Sequence, residues 1–210
     1  MSLDNASMTI YGDSISGNCL KVKFIADRLA LPYDWVEVRV LDKETRTPEF
    51  LAMNPAGQVP TVILDDGRPL AQSNAIILHL AEGSALSPAD AYARAKMLEW
   101  MFWEQYSHEP YVATVRSLIR HHAPDSPRLA EIPERRAKGN QALAVMEKHL
   151  ERRSFFVNER YSVADIALYA YTQVAPDGGI DLTPYPNVLA WIGRVAAQPR
   201  HILITDTPMG

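Results

Sequence analysis

Residues 47–64 read TPEFLAMNPAGQVPTVIL and contain the start of a helix, a turn and the start of a strand. Thr47 is a residue type that caps helix N-termini, and Pro48 suits the first helical position because its missing N–H would have no helical partner there. Pro60 cannot donate a hydrogen bond to a sheet, so it fits the beginning of a strand over residues 59–64. The segment therefore predicts a short helix followed by a strand, the alternation of an α/β domain.

On both sides of this segment, strand and helix patterns continue to alternate. Residues 8–11 read as a strand, residues 16–29 have apolar side chains at helical spacing, and residues 33–40 alternate with the period of a strand. An Asp-Asp-Gly turn at residues 65–67 predicts a hairpin, and residues 74–81 predict a helix. The order β-α-β-α-β-β-α indicates a small mixed sheet in which crossover helices join the parallel strands.

Beyond residues 83–84 the strand signals nearly disappear and helical patterns take over. The long helical stretches run to about residue 122, over residues 134–153 and over residues 184–197. Ser162 and Asp165 form a capping-box pattern in front of an apolar run. We therefore predict an α/β domain over residues 1–83 and an all-helical domain over residues 88–210.

Composition and charge exclude several classes of protein. The 210 residues carry a formal net charge of −4 and are 47% apolar, which is typical of a globular protein with a buried core. The mild acidity, without a Lys/Arg stripe, argues against nucleic-acid binding. No run approaches the roughly 20 apolar residues of a membrane-spanning helix. Residues 1–7 lack the pattern of a secretory signal peptide, so we expect a cytoplasmic protein that does not associate with membranes.

The cysteine and histidine content argues against a metal centre. Cys19 is the single cysteine, which excludes an internal disulfide and a zinc site built on thiolates. His121 and His122 are adjacent, and none of the 6 histidines pairs at H-x-x-x-H spacing. We expect no metal cofactor.

The turn after the first strand is the first candidate site. A strand-to-helix turn brings backbone N–H groups and the positive end of a helix dipole to one point, which suits a thiolate or another anion. Four candidate residues lie near this point, namely Ser14, Ser16, Asn18 and Cys19. The alternative is that Ser16 or Asn18 only caps the helix. Cys19, inside the helical pattern, is more typical of a small packed side chain than of a nucleophile.

Two further segments place polar groups at strand and helix ends. If the bond between Val59 and Pro60 were cis, the backbone groups of Val59 would turn outward and could pair with an extended peptide ligand. The periodicity itself does not support a cis bond, which occurs in about one X-Pro bond in twenty. Gln72 and Ser73 stand where N–H groups and a hydroxyl could hold a carboxylate, with a simple helix cap as the alternative.

Together, these segments resemble the glutathione transferase superfamily along nearly the whole chain. The motifs that carry the resemblance are SGNCLKV at residues 16–22, PEFLAMNPAGQVP at 48–60, LAQSNAI at 70–76 and SVADIA at 162–167. The resemblance is to bacterial, theta- or beta-like members, and it implies a thioredoxin-like first domain that binds glutathione. It also implies a second domain that carries the site of a hydrophobic co-substrate.

The resemblance implies a set of glutathione contacts, namely Arg46, Gln58, Val59, Pro60, Gln72 and Ser73. The Val59 backbone would pair with the cysteinyl part of glutathione, beside a cis Pro60. Gln72 and Ser73 would hold the γ-glutamyl group, although many members have Glu in place of Gln72. Arg46 lies in the loop where a basic residue often meets the glycine carboxylate.

Ser16 matches the catalytic serine of theta- and delta-like members and the catalytic cysteine of beta-like members. Its hydroxyl would donate a hydrogen bond to the glutathione thiolate, without forming a covalent intermediate. Lowering a thiol pKa by two units corresponds to about 2.7 kcal/mol, which one charge-assisted hydrogen bond and a helix dipole can supply. Tyr11, Ser14 and Asn18 are the alternative donors.

The first long helix of the second domain carries a cluster of aromatic residues, Trp100, Phe102, Trp103 and Tyr106. We expect Trp100 and Phe102 to be core or dimer contacts. The resemblance puts this helix beside the co-substrate site. Tyr106, His108 and Tyr111 are the predicted lining residues because their side chains have polar tips.

The sequence therefore predicts a homodimeric glutathione transferase that acts on small hydrophobic electrophiles, as detoxification enzymes do. One alternative is a non-catalytic interaction or stress-regulatory module with the same fold. The other is a glutathione-dependent reductase or isomerase, which would differ only in its co-substrate.

Overall fold

The computed structural model describes residues 7–204. The predicted domain limits at residues 1 and 210, and most of the segment considered for a signal peptide, lie outside the described residues. The chain forms two compact units. One comprises the described residues up to Glu82 together with residues 199–204, and the other spans Gly83–Gln198.

The first unit is built on a four-stranded mixed sheet. Its strands are β1 (Met8–Gly12), β2 (Tyr33–Glu37), β3 (Thr61–Ile63) and β4 (Pro69–Ala71), in the order β2-β1-β3-β4. β1 is parallel to β2, whereas β3 is antiparallel to both β1 and β4. The helices of this unit are α1 (Gly17–Leu29), which is the crossover between the parallel strands, α2 (Pro48–Met53) and α3 (Ser73–Leu80).

Capping chemistry sets the ends of the helices in this unit. Thr47 Oγ1 accepts a hydrogen bond from Phe50 N at 3.2 Å, and Pro48 begins α2, which confirms the predicted helix start. α1 ends at Ala30, which adopts the left-handed conformation and returns its N–H to the carbonyl of Ala26.

The core of this unit joins the sheet to α1 and α3, which also pack on each other. Its fully buried apolar residues include Ile10, Val22, Ile25, Val62, Ile76 and Ile77. The packing of α1 and α3 in this core therefore holds their N-termini in place.

β2 is shorter than the strand predicted over residues 33–40. Val38 N donates to Gly12 O at 2.8 Å, but Val40 N donates to the Asp13 carboxylate at 3.1 Å. Because a side chain from the β1–α1 turn takes this backbone donor, the chain leaves the sheet after Glu37.

The second unit is helical. Its elements are α4 (Ala91–Trp103), a π-helical segment (Glu104–His108), α5 (Glu109–His121), α6 (Ile132–Leu150), α7 (Val163–Thr172) and α8 (Pro186–Ala196). The pattern predicted one helix to about residue 122, whereas the structure begins α5 anew with Pro110 in its first turn, a position that proline favours. The mixed sheet followed by helices confirms the predicted fold class, a thioredoxin-like domain and an all-helical domain.

The capping box predicted at Ser162 and Asp165 is present at the start of α7. Ser162 N and Oγ both donate to Asp165 Oδ2 at 2.9 Å. Phe156 N and Trp191 Nε1 donate to Oδ1 at 3.2 and 2.9 Å. Burial raises the pKa of the Asp165 carboxyl to about 6. This one carboxylate therefore ties α7 to the preceding loop and to α8.

After α8 the chain returns to the first unit. Near the C-terminus of α1, Arg200 Nη1 donates to Asp27 O at 3.4 Å, a carbonyl that also accepts from Ala30 N at 3.2 Å. The His201 ring lies against Phe24, with the ring centroids 5.0 Å apart. The predicted helical domain extended to residue 210, whereas residues 199–204 group with the α/β unit.

Within residues 7–204, no helix combines the length and the apolar character needed to cross a lipid bilayer. In the same part of the chain, no group of three or more His, Cys, Asp or Glu side chains is arranged to hold a metal ion.

Candidate functional site

One end of the sheet brings together the segments predicted to bind glutathione. In the register, Tyr11 pairs with Thr61, and Thr61 pairs with Ala71. Because β3 is antiparallel to both neighbours, the end of β1, the start of β3 and the end of β4 lie at the same edge. The predicted residues at this edge are Ser16 after β1, Val59 and Pro60 before β3, and Gln72 and Ser73 after β4.

Ser16 is the N-cap of α1. Its Oγ accepts a hydrogen bond from Cys19 N at 3.4 Å, and its own N–H donates to Asp13 O at 3.0 Å. A hydroxyl that accepts through a lone pair can still donate its proton to another group. The capping role and the proposed donor role are therefore compatible in the same side chain.

Cys19 is packed into the core of the first unit and is 1% exposed. Asp13 N donates to its Sγ at 3.3 Å. Burial is the main reason that the pKa of the Cys19 thiol rises to about 12. This thiol is therefore neutral and inaccessible, in agreement with a packed side chain and not with a nucleophile.

A side-chain hydrogen bond links the beginnings of α1 and α3. Ser73, which is buried, donates from Oγ to Asn18 Oδ1 at 3.0 Å. Gln72, immediately before α3, is exposed and has a φ of +72°. A non-glycine residue in this region is strained by about 1–3 kcal/mol, and such strain is found frequently at ligand-binding sites. The two helix N-termini thus lie side by side at the sheet edge.

The Val59–Pro60 bond is cis, as the family resemblance implied. A buried residue, Asn54, holds the loop before it, since Nδ2 donates to Gln58 O at 2.8 Å and to Thr61 Oγ1 at 3.1 Å. The Gln58 carbonyl also accepts from Thr61 Oγ1 at 3.0 Å. Because both donors bond to this carbonyl, a contact of Gln58 with a ligand would involve its exposed side chain.

Arg46 lies in a 3-10 turn (Glu44–Arg46) beside this loop. Its Nη1 donates to Ala56 O at 3.2 Å. Gly57 has a φ of +60°, and a Cβ at this position would collide with the Arg46 guanidinium. The glycine therefore allows the exposed Arg46 side chain to lie across the loop.

The three alternative thiolate donors make contacts through atoms other than their side-chain donor groups, so all three stay alternatives. The Tyr11 ring packs against Phe50 with 6.5 Å between ring centroids. Asn18 Oδ1 accepts from Ser73, and Ser14 N donates to Glu37 Oε1 at 2.9 Å. The Ser16 hydroxyl is the one that caps α1.

A cavity of about 350 Å³ opens beside the β1–α1 turn. It is lined by Asp13, Ser14, Ile15, Glu37, Arg39, Leu41 and Asp42. Three carboxylates against one guanidinium give this lining a net negative charge, which favours neutral or cationic groups over anions.

In the helical unit, the predicted co-substrate residues occupy different environments. Tyr111 lines a cavity of about 280 Å³ together with Trp103, Ser107, Lys138, Gln141, Ala142 and Val145. Tyr106 is 84% exposed. His108 is fully buried, with Nε2 3.0 Å from Thr172 Oγ1, so it is an interior residue and not a lining residue.

Trp100 and Phe102, which were expected in the core or in a dimer contact, differ in their exposure. Trp100 is buried against Phe156 and His149. Phe102 is 72% exposed. Of these two residues, Trp100 belongs to the core of the described structure and Phe102 does not.

Sequence reasoning missed three residues that organise the site, namely Asp13, Glu37 and Asn54. A signal existed for Asp13 and Asn54, because Asp and Asn directly after a strand or a helix often bond to backbone N–H groups nearby. Glu37 bonds to the N–H of Ser14, 23 residues away in sequence, and no local pattern indicates such a contact.

Comparison with known proteins gives a consistent result over both units. The family model for the N-terminal domain of glutathione S-transferase matches residues 15–82, and the model for the C-terminal domain matches residues 96–199. A glutathione S-transferase structure from Pseudomonas fluorescens Pf-5 is 46% identical, with a TM-score of 0.92, and the match covers 95% of this chain and 99% of that chain.

Two more distant proteins agree with this match. Glutathione S-transferase 3 of Zea mays is 29% identical, and the match covers 92% of this chain and 91% of the relative. A glutathione transferase from Burkholderia graminis, solved with two glutathione molecules bound per subunit, is 25% identical with a TM-score of 0.85. That match covers 99% of this chain and 91% of the other.

Proposed function

The chain belongs to the glutathione transferase superfamily, and on that basis we propose that it conjugates the thiol of glutathione to small hydrophobic electrophiles. The observation that carries this proposal is the convergence at one sheet edge. The capped start of α1 at Ser16, the cis bond before Pro60 and the start of α3 at Ser73 lie together there.

In the proposed reaction, glutathione lies along the sheet edge in an extended conformation. The Val59 backbone pairs with the cysteinyl residue, Ser73 and Gln72 hold the γ-glutamyl group, and Arg46 faces the glycine carboxylate. Gln72 is neutral, so its contact with the γ-glutamyl amine is a hydrogen bond and not an ion pair. Val59 is half-buried, and Gln72 and Arg46 are exposed, which supports access by a ligand, while Ser73 is the buried member of the set.

Ser16 activates the bound thiol. Its hydroxyl donates a hydrogen bond to the sulfur, and the N-terminus of α1 adds the positive end of the helix dipole. Both interactions favour the thiolate over the thiol. The thiol releases its proton to water, and the thiolate attacks the electrophilic carbon of the co-substrate. The leaving group departs with the electron pair of the bond that breaks, and no covalent bond to the protein forms.

The helical unit supplies the proposed hydrophobic site. Two of the seven residues that line the cavity are aromatic, Trp103 and Tyr111, and Lys138 Nζ lies 5.3 Å from the centroid of the Tyr111 ring. A planar, electron-poor co-substrate would stack on an aromatic ring of this lining.

A homodimer in the cytoplasm is the proposed form of the enzyme. Three aromatic side chains on α4 and the π-helical segment are strongly exposed, namely Tyr92, Phe102 and Tyr106. Their spacing places them on one side of the helix, and exposed aromatic patches favour protein contacts. Analytical ultracentrifugation of the Phe102→Ser variant tests this assembly, since a shift toward monomer is expected.

Calorimetry and activity assays test the proposed function together. Glutathione should bind to the intact chain, and a chloronitroaromatic compound should be conjugated. The Ser16→Ala variant should retain binding but lose most of the turnover, whereas Ser14→Ala serves as the matched control and should retain both. Binding without turnover over a wide panel of electrophiles and disulfides would contradict the enzyme assignment and indicate the interaction module.

A further inference from the structure

The β1–α1 turn is held in place by two carboxylates. Glu37 Oε1 accepts from Ser14 N at 2.9 Å, and Asp13 Oδ1 accepts from Ile15 N at 3.1 Å. Both donors immediately precede Ser16. The two residues before the helix cap therefore have their backbone N–H groups bonded to side chains.

The second oxygen of each carboxylate connects the turn to the segment that includes β2. Glu37 Oε2 accepts from Trp35 Nε1 at 2.8 Å, and Asp13 Oδ2 accepts from Val40 N at 3.1 Å. The Trp35 ring lies directly on Gly12, where a Cβ would collide with it. The Trp35 indole thus holds the Glu37 carboxylate, and this carboxylate holds the turn through Ser14 N.

We infer that Glu37 is a positioning residue for Ser16, acting through the N–H of Ser14 and without touching glutathione itself. The inference rests on the proposed function and extends it to a residue on the neighbouring strand. A hydrogen bond to a sulfur anion depends on the orientation of the donor, and a misplacement of about 1 Å can reduce turnover about 100-fold.

The charge of Glu37 argues for a geometric role. A carboxylate beside the turn disfavours an anion there. Burial is the main cause of the raised pKa of the Cys19 thiol. The charges of Asp13 and Glu37 act in the same direction. Electrostatic stabilisation of a thiolate therefore gives no reason for a carboxylate at this position, whereas the hydrogen bonds to Ser14 and Trp35 do.

The Glu37→Asp variant tests this inference because it keeps the charge and shortens the side chain by one carbon–carbon bond, about 1.5 Å. The shorter carboxylate cannot reach Ser14 N and Trp35 Nε1 together without movement of the backbone. We expect amide hydrogen exchange at Ser14 and Ile15 to become at least tenfold faster. The kcat should fall about tenfold or more, with the KM for glutathione changed less than threefold, because the contacts of Val59 and Ser73 remain.

Glu49→Asp is the matched control, since Glu49 is an exposed residue of α2 that undergoes the same chemical change away from the turn. It should alter neither the exchange nor the kcat. A kcat close to that of the parent protein in the double variant Glu37→Gln, Trp35→Phe would support the inference further. In that variant the glutamine carbonyl has to accept a hydrogen bond only from Ser14 N.

The inference is overturned if Glu37→Asp leaves exchange at Ser14 and the kcat unchanged. It is also overturned if exchange rises evenly over the whole first unit, since this would indicate a general loss of stability. If the parent protein neither binds nor conjugates glutathione, the proposed function fails separately. The exchange measurement then still decides whether Glu37 holds the turn.

Discussion

Two helices of this protein have a serine N-cap and a nearby aspartate, and they use these residues differently. At α7, Ser162 and Asp165 are buried, and four hydrogen bonds converge on the carboxylate. At α1, Ser16 is only partly buried and accepts one capping bond of 3.4 Å, while Asp13 lies ahead of the cap and holds the turn.

The comparison separates a stabilising helix start from one suited to binding. At α7 the polar groups around the cap are paired with one another, so the helix start contributes to the stability of the fold. At α1 the serine hydroxyl retains a proton that it can donate, beside the positive end of the helix dipole. A helix N-terminus with a hydroxyl donor beside it is a site that can bind an anion.

The largest expected effect is on stability, from Asp165→Ala. This variant leaves the donors of Ser162, Phe156 and Trp191 buried without an acceptor, so the free energy of unfolding should fall by about 3–5 kcal/mol. Urea unfolding measures the change. Asp90→Ala is the control, because Asp90 is an exposed N-cap in the same unit whose loss should reduce stability by about 1 kcal/mol. An equal loss of unfolding free energy in Asp165→Ala and Asp90→Ala would contradict the view that the start of α7 is a special stabilising contact.

The same carboxylate should make stability depend on pH. Burial raises the pKa of Asp165 from its usual 3.8 to about 6, so the folded state binds the proton of this carboxyl group more tightly than the unfolded state does. The resulting stability is present below pH 4 and is lost as the pH rises through 6, with a total of about 3 kcal/mol. Unfolding of Asp165→Asn at several pH values should lack this component. Parallel curves for parent and variant would be inconsistent with the raised pKa.

The two capping serines should differ in their effect on stability. Ser162→Ala removes a buried donor to Asp165 and should lower the free energy of unfolding by about 1–3 kcal/mol. Ser16→Ala removes a long, partly exposed cap and should lower it by about 0.5–1 kcal/mol. Thermal and urea unfolding of both variants provide the measurement, and a larger loss at Ser16 would reverse the comparison.

The smallest effect is expected at Cys19. The Cys19→Ala variant should retain the parent turnover within about twofold, because the thiol is buried and neutral. In the parent protein, a thiol-specific reagent at pH 8 should label Cys19 only after unfolding. Rapid labelling of the folded protein, or a severe loss of activity in the variant, would show that the sulfur belongs to the site.

Local chemistry in the sequence was sufficient to predict much of this molecule. The helix start at Thr47 and Pro48, and the pairing of Ser162 with Asp165, depend on residues three or fewer positions apart, and both are present. The change in periodicity near residue 83 predicted an α/β domain followed by an all-helical domain, whereas the thioredoxin-like assignment of the first domain came from the family resemblance. The expectation of a cis Pro60 came from the resemblance to a family and not from the pattern itself.

Contacts between distant residues account for what the sequence did not reveal. β2 ends early because Asp13 takes the N–H of Val40, 27 positions along the chain. His108 has a polar tip but faces Thr172, 64 residues later, so helical spacing alone could not show that it is interior. Whether Ser16, Val59 and Ser73 contact glutathione stays a prediction, because it depends on a ligand.

The pKa of bound glutathione tests the central claim most directly. Thiolate absorbance in the ultraviolet, followed against pH in the glutathione complex, gives this pKa for the parent protein and for Ser16→Ala. We expect about 6.5 for the parent, roughly two units below a free thiol, and a return to about 8 or higher in the variant. An unshifted thiol pKa in the parent, or an equal shift in both proteins, would contradict the claim that the Ser16 hydroxyl stabilises the thiolate.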